Sequence, residues 1–369
     1  MLTWAWRSLI TTPLRTLAAA GGVAVAMLLV VFFQAVFQGE AERIVAYPAH
    51  AGADVWVMQK GVSNMHMASS LLWDSKEIRV AAVDGVADAV GILYLNAIVR
   101  AGDRNWFSYI VGIGPGASFG GPWRMREGRS LPDAGEAVIP WHVARMSGIG
   151  MGDEIEILDR RLRVVGLSDE TFSMANSITF VSRRDLGELM NAESSVSYVL
   201  VRVRPGTPPA AVARRIREEV EKVNALTTDR FIERDREMAM QMGTEIIRMM
   251  TVIGAVLAVL IVAFSSYQQV AGRARELAVA KAVGFTLFQV QAAALLQSLL
   301  TTAAGIGLAA ILAWTVLPWL PALAPQIAVS VKGWMVLEVA AVGMAVAVLA
   351  SLWPAVRLAR LDPMLVFQE

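Results

Sequence analysis

The chain has 369 residues, 56% hydrophobic and only 18% charged, a balance that places it among membrane proteins. Its 33 basic and 32 acidic residues leave a net charge of +1, without the basic excess that a nucleic-acid binder carries. No cysteine occurs, which excludes disulfides, thiolate metal sites and cysteine nucleophiles.

Residues 3–14 (TWAWRSLITTPL) set Trp4 and Trp6 beside Arg7, so residues 1–15 read as an amphipathic helix at the cytoplasmic interface. No charge falls between Arg15 and Glu40, about 24 residues, enough to cross ~30 Å of hydrocarbon as a helix. Residues 16–38 are therefore the first predicted span. This run is too long for a signal-peptide core of about 7–15 residues and lacks a convincing cleavage site, so a retained anchor is expected.

Residues 39–248 read as an extracytoplasmic mixed α/β domain. A strand is expected over 53–58, then a helix capped by Asp74 and running to about Val83, then a turn at Asp84-Gly85. Strands over 97–100 and 107–111 flank a hairpin loop at 102–105. Glycines 112, 114, 116, 120 and 121 around Pro115 predict a flexible loop, since no helix follows to make a phosphate cradle. A short strand over 137–139 precedes two more around a turn at Asp159-Arg160-Arg161. Residues 196–203 alternate as a half-buried strand should. Pro208-Pro209 opens a helix over 210–223, and residues 231–248 form a helical stalk.

The second predicted span covers 249–271 and the third 289–317, separated by a short loop over 272–288. Pro318, Pro321 and Pro325 punctuate an outer loop over 318–333. The fourth span covers 334–354, with Glu338 solvated near its outer end, and 355–369 form a tail. Arg7 and Arg15, then Arg273, Arg275 and Lys281, then Arg357 and Arg360 all fall on one side if there are four spans. That side is cytoplasmic, so both termini are cytoplasmic and the large domain is outside. Gly22 and Ala26, and Gly254 and Ala258, recur at four-residue spacing, which serves either packing within one subunit or a dimer seam.

Catalytic signatures are missing. His50, His66 and His142 are scattered, and neither H-E-x-x-H nor G-x-S-x-G occurs. Met65, Met67 and the cluster Met238, Met240, Met242, Met249 and Met250 would suit Cu(I), but no thiolate supports copper. Met238, Met242, Met249 and Met250, placed just before the second span, instead suggest an apolar vestibule whose flexible thioethers accept varied ligands.

The short loop reads Arg273-Ala-Arg275-Glu276-Leu277-Ala278-Val279-Ala280-Lys281-Ala282-Val283-Gly284, and the tail reads Pro354-Ala355-Val-Arg357-Leu-Ala359-Arg360-Leu361-Asp362-Pro363. The outer domain carries Gly128-Arg129, Gly135-Glu136-Ala137-Val138-Ile139, Gly152-Asp153-Glu154-Ile155 and Val164-Val165-Gly166. In this order, with one helix, an outer domain and three helices, the whole chain resembles the MacB/FtsX/LolC-type permeases of ABC transporters. Leu358 stands where alanine is usual in that family's tail.

The resemblance implies an α-helical membrane protein of four spans with an inserted MacB-like α/β porter domain, sited in a bacterial inner membrane. It implies a dimer, in the simplest case of two copies of this chain, and a separate cytoplasmic ATPase of the LolD/MacB type. A periplasmic adaptor and membrane lipid are further expected partners; nucleic acid is not. The sequence has no G-x-x-x-x-G-K-[ST] stretch, so this chain is expected to bind no cofactor and to be no enzyme, with ATP and Mg used by the partner. Arg273, Arg275, Glu276, Leu277, Ala280, Lys281 and Gly284 are the implied ATPase-coupling residues. Leu277, Val279, Ala280 and Val283 can cover one helix face and dock in a groove, whereas composition alone would allow a charged loop that merely sets topology. Two functions are then in view: export of a hydrophobic or amphipathic substrate, or an FtsX-like relay that activates an extracytoplasmic partner such as a cell-wall hydrolase. Hardly any charge lies in the spans, which argues against passage of small ions.

Overall fold

The computed structural model describes residues 13–173, 177–271, 279, 283–284, 286–324 and 327–359. The predicted interfacial helix over 1–15 lies almost wholly outside the described residues, and most of the tail over 355–369 does too. The chain divides into two compact units, one of Met1–Gly39, Glu245–Leu323 and Val329–Glu369, the other of Glu40–Thr244 and Ala324–Ala328.

In chain order the elements are helices α1 (Pro13–Ile44) and α2 (Ala46–His50), strands β1 (Val55–Gln59) and β2 (Leu72–Trp73), helix α3 (Ser75–Ala81), and strands β3 (Val86–Ala101), β4 (Arg104–Ile113), β5 (Met125–Gly128) and β6 (Glu136–Pro140). Helix α4 (Trp141–Ser147), strands β7 (Glu154–Ile157), β8 (Arg160–Ser168) and β9 (Ile178–Ser182), helix α5 (Arg183–Met190), and strands β10 (Ser195–Val196) and β11 (Tyr198–Val203) follow. Helix α6 (Pro209–Glu219), strand β12 (Val223–Thr227) and helices α7 (Thr228–Ala271), α8 (Leu287–Thr315) and α9 (Gly333–Ala359) complete the fold.

Among the described residues three helical stretches are long and apolar enough to cross a membrane: Thr16–Ile44, Gln291–Leu323 and Gly333–Ser351. The apolar part of α7 is shorter, Val252–Ser265. Val23, Met27 and Val30 of α1 share an apolar interior with Ala258 and Val262 of α7, Ala309 and Ala313 of α8, and Val339 of α9. The small residues are used inside this unit. A Cβ on Gly254 would stand 3.0 Å from the Phe33 ring, and one on Gly22 would meet the Ser265 hydroxyl at 3.6 Å. Ala26 and Ala258 are buried in the same interior, so these faces serve packing between α1 and α7 of one subunit. Glu338 is exposed in the first turns of α9.

The outer unit is built on a ten-stranded mixed sheet of order β12-β1-β11-β3-β4-β9-β6-β8-β5, with β7 pairing β3 and β8. β4–β9 and β6–β8 are parallel; the other pairs of this sheet are antiparallel. Strand β3 is long enough to serve several neighbours, pairing with β11 from Val86 to Ile92, with β4 from Ile92, and with β7 at Val99–Ala101. Period-2 alternation sends Trp56 and Met58 of β1 to one core, with Tyr47, Phe180 and Phe231, and Val55 and Val57 to another, with Val80, Val212 and Ile216.

Several expectations are corrected here. Strand β11 is not half-buried: Tyr198, Val199, Leu200 and Val201 are all buried, because both faces of the sheet are covered at this point. The hairpin loop between β3 and β4 is only Gly102-Asp103, since Ala101 already pairs with Arg104. The turn between β7 and β8 is Leu158-Asp159, both at positive φ (45° and 67°), and Arg160 and Arg161 belong to the strand. Two consecutive positive φ values mark the turn whose twist matches a hairpin. Asp74 occupies the cap position of α3 but its side chain makes no capping bond, being itself helical in φ and ψ (−57°, −30°). Helix α6 ends at Glu219, and Val223 begins a strand, β12, on the edge beside β1. Gly112 lies within β4, so the glycine-rich stretch begins in the sheet rather than in a loop.

Candidate coupling segment and outer-domain clamp

Of the implied coupling residues, Arg273, Arg275, Glu276, Leu277, Ala280 and Lys281 lie outside the described residues. Val279 is helical, Val283 donates its N–H to the Val279 carbonyl at 3.0 Å, and both side chains are exposed. Gly284 then takes φ +102°, a conformation that ends a helical turn cheaply only in glycine. Thr286 immediately restarts the chain as a cap of α8: its Oγ1 accepts from the Gln289 N–H at 3.4 Å, and its own N–H donates to Gln289 Oε1 at 2.9 Å. The segment between α7 and α8 is thus closed by a glycine stop and a capping box.

Met238 is half-buried in the outer unit, the Met242 side chain lies outside the described part, and Met249 and Met250 are exposed. Among the described residues no cluster of His, Asp and Glu has metal-binding geometry.

The first turns of α7 instead hold a feature that sequence spacing did not bring forward. Asp235 is fully buried, and its Oδ1 accepts the backbone N–H groups of Met65 at 2.8 Å and His66 at 3.1 Å. Its Oδ2 lies 2.7 Å from His66 Nδ1. One carboxylate thereby fastens the loop after β1 to the helix that leaves the domain. A buried carboxylate is tolerable only when so compensated. One signal was present: Asp235 falls four residues after Phe231 and three before Met238, an acid on the apolar stripe of an amphipathic helix.

Aromatic rings surround this clamp. His66 meets Tyr109 edge-on at 4.8 Å, Tyr109 stacks with Tyr94 at 5.9 Å, and Trp56 stacks on Phe231 at 4.6 Å. Burial, with the Asp235 charge adding to it, pushes the Tyr109 phenol up to about 12. Burial likewise raises Tyr47, Tyr94 and Tyr198. These phenols stay protonated in the folded domain after they would ionise in the unfolded chain. Their contribution is therefore complete below pH 10.0, the ordinary phenol value, and is lost as pH rises from there through about 12. Alkaline titration of the full-length protein is expected to show phenolate absorbance appearing together with loss of circular dichroism across that window. Phenolate from any of these four tyrosines appearing at the ordinary value in a still-folded protein would contradict this.

The outer-domain motifs converge on one corner of the sheet. Gly128 of β5 sits opposite Gly166 of β8. Arg129 pairs with Glu136, which also takes Arg163 at 3.1 Å. The Gly135 N–H donates to buried Asp185 at 2.7 Å. The Gly152 N–H donates to the Val164 carbonyl at 2.8 Å, and the Val164 N–H returns to the Asp153 carbonyl at 2.8 Å. These motif residues therefore close turns and strand joints of the sheet.

Long apolar helices and an inserted, separately packed mixed-sheet domain define the class, a membrane protein with a folded domain between its first and later helices. Comparison with known families makes this specific. Residues 16–219, more than half the chain, match the MacB-like periplasmic core domain, and residues 248–363 match the FtsX-like permease C-terminal family. The chain belongs to the MacB/FtsX-type permeases of ABC transporters. It is 27% identical over 319 residues to an uncharacterized ABC transporter permease of Mycobacterium tuberculosis, covering 85% of this chain and 83% of that one. A second such permease, of Mycobacterium bovis, is 24% identical over 337 residues, covering 90% and 88%. Among solved structures, the periplasmic region of MacB from Actinobacillus actinomycetemcomitans aligns with TM-score 0.41 and 12% identity, over 52% of this chain and 96% of that one. The extracellular domain of the noncanonic ABC-type transporter YknZ from Gram-positive bacteria aligns with TM-score 0.38 and 13% identity, over 47% and 99%.

Proposed function

We propose that this chain is the permease subunit of an ABC-type exporter that expels or extracts a hydrophobic or amphipathic substrate (lipid, lipoprotein, drug or peptide) from the outer leaflet or periplasm. A separate cytoplasmic ATPase supplies the energy, and two permease copies form the working unit in a bacterial inner membrane. The apolar stretch of α7 is the second of four spans, both termini are cytoplasmic, and the outer unit lies outside. The observation that carries this reading is the succession of the two family matches on one chain, porter domain first and permease core second. The segment 272–288 is the ATPase contact. Its closing glycine and the capping box of α8 support a short, firmly ended element rather than an open loop.

Affinity purification of the tagged protein from its native membrane tests this directly. An ATPase is expected to co-purify, and to be lost with Glu276→Lys combined with Leu277→Asp. A periplasmic adaptor in the same eluate favours export, whereas a cell-wall hydrolase favours an FtsX-like relay. A permease that stays dimeric but brings down no ATPase sinks the reading.

A further inference from the structure

At one end of the outer unit's sheet, strands β7, β3 and β4 lie side by side, with Val99 opposite Ile157 and Ile98 opposite Phe107. One face of this end is covered: Val99, Ala101, Ile155 and Ile157 pack with Val143 and Ala144 of α4. Alternation sends Ile98 and Arg100 of β3 to the other face, with Phe107 of β4 and Glu156 of β7 beside them. There Ile98 and Phe107 are each 58% exposed, and Leu158, just past β7, is 52% exposed. Phe107 meets Tyr109 edge-on at 5.5 Å, so its exposed ring is held in place. Ile98, Arg100, Glu156 and Leu158 line a groove of about 700 Å³, with Asp103 and Asp159 at its hairpin turns. Leu158 stands first in its two-residue turn, at φ 45°. Asparagine or glycine takes that conformation cheaply; leucine does not. The turn is thus strained to hold a leucine out in water, a choice that folding alone does not explain.

We propose that this face of β7, β3 and β4 is the docking site for a basic amphipathic helix of a partner protein. A sheet face bearing large apolar side chains is stably covered by a second layer, and a helix is a layer that fits it. Adding a strand to β3 is closed off, because β4 and β7 pair with it on both sides here. Charge selects the sign of the partner. The groove sets one arginine against three acids, and Arg100 is taken by Glu156 at 2.5 Å. Asp103 and Asp159 have no ion-pair partner among the described residues. Arg161, on the neighbouring strand β8, lies 3.8 Å from Glu154. Apolar contact is therefore flanked by two free carboxylates. Its complement is a helix with an apolar stripe and lysine or arginine beside that stripe. The inference goes beyond the exporter reading and does not rest on it, since an exporter and a relay would both keep this face.

The test uses the full-length permease in phosphatidylcholine nanodiscs, with empty nanodiscs subtracted. The probe is a fluorescein-labelled amphipathic peptide of leucine and lysine, about 18 residues or roughly five helical turns. Fluorescence anisotropy is expected to show saturable binding that weakens as salt rises. Ile98→Ala with Phe107→Ala is expected to weaken it at least about tenfold. Asp103→Asn with Asp159→Asn is expected to weaken it about threefold to tenfold and to flatten the salt dependence. All four side chains are exposed, so these variants keep the fold. Leu158→Asn separates binding from stability: it should raise Tm by relieving the turn, yet weaken the probe about threefold to tenfold. A purely structural leucine would not move the two readouts in opposite directions. Absence of saturable binding, or unchanged affinity in the Ile98→Ala, Phe107→Ala variant, overturns the site. Equal binding of a leucine–glutamate peptide of the same pattern overturns the basic partner. If that variant instead lowers the permease's mass in light scattering, a second copy covers the face and the proposal falls. No ATPase is needed for this measurement, so its failure is distinguishable from a failed co-purification.

Discussion

Asp235→Ala is expected to lower the stability of the outer domain by roughly 3–5 kcal/mol, at about 1–3 kcal/mol for each buried hydrogen-bonding group left without its partner. The substitution removes one side chain but orphans three donors: the N–H groups of Met65 and His66, and the His66 ring nitrogen. None of them has a ready route to water, because Asp235 itself is 0% exposed and Met65 is 3% exposed. Asp235→Asn keeps an acceptor of the same shape and is expected to cost less than half as much. Thermal unfolding of the full-length protein reads the difference, with a fall in Tm on the order of 10 °C for the alanine variant. Combining Asp235→Ala with His66→Ala should cost clearly less than the two single losses added together, since they share one contact. A loss below about 1 kcal/mol for Asp235→Ala would show that the loop after β1 is held by its apolar neighbours alone.

How far such features could be seen beforehand depends on whether their cause is local. Three long apolar helices were legible because one observation, a long run without charge, marks them without knowledge of any partner, whereas the apolar part of α7 is shorter than the span expected there. The β3–β4 and β7–β8 hairpins were legible from alternation around turn residues, though the loops were set one or two residues too wide. Only pairing reveals that Arg104 and Arg160 are already strand residues. Strand β9 (ITFVS) was missed because every residue of it is buried, which erases alternation. Strand β5 (MREG) was missed for the opposite reason: it has almost no buried residue and owes its conformation to β8. The clamp joins residues 169 positions apart, and no spacing rule reaches that far. The two arginines over the Trp141 ring were similarly dispersed, Arg126 on β5 and Arg145 on α4. By contrast, the motifs that carry the family resemblance were plain in the sequence, but their reason was not. They are joints of the sheet, and the joint is visible only when β5 lies against β8.

That joint gives a graded set of glycine substitutions. Gly166 has an ordinary backbone conformation, yet a Cβ there would run into the Arg129 carbonyl oxygen and, at 2.8 Å, the Met125 side chain. Gly128 faces the same obstruction from the other strand, a Cβ meeting the Val165 carbonyl oxygen and, at 2.8 Å, the Gly166 Cα. It also adopts φ +79°, which costs a residue with a side chain about 1–2 kcal/mol by itself. Gly148 separates the two effects, because it is left-handed at φ +68° while a Cβ there would meet nothing within 4 Å. Gly148→Ala is therefore expected to cost only about 1 kcal/mol, the conformational part alone. Gly166→Ala should cost about 2–3 kcal/mol from overpacking against backbone that has no rotamer to give. Gly128→Ala combines both and should be worst, about 3–5 kcal/mol, enough to threaten folding of a marginally stable domain. Unfolding midpoints of the three variants in the full-length protein check the order. If Gly166→Ala proved as mild as Gly148→Ala, the β5–β8 contact would have room to open. The glycines of both motifs would then answer to something other than close approach of these two strands.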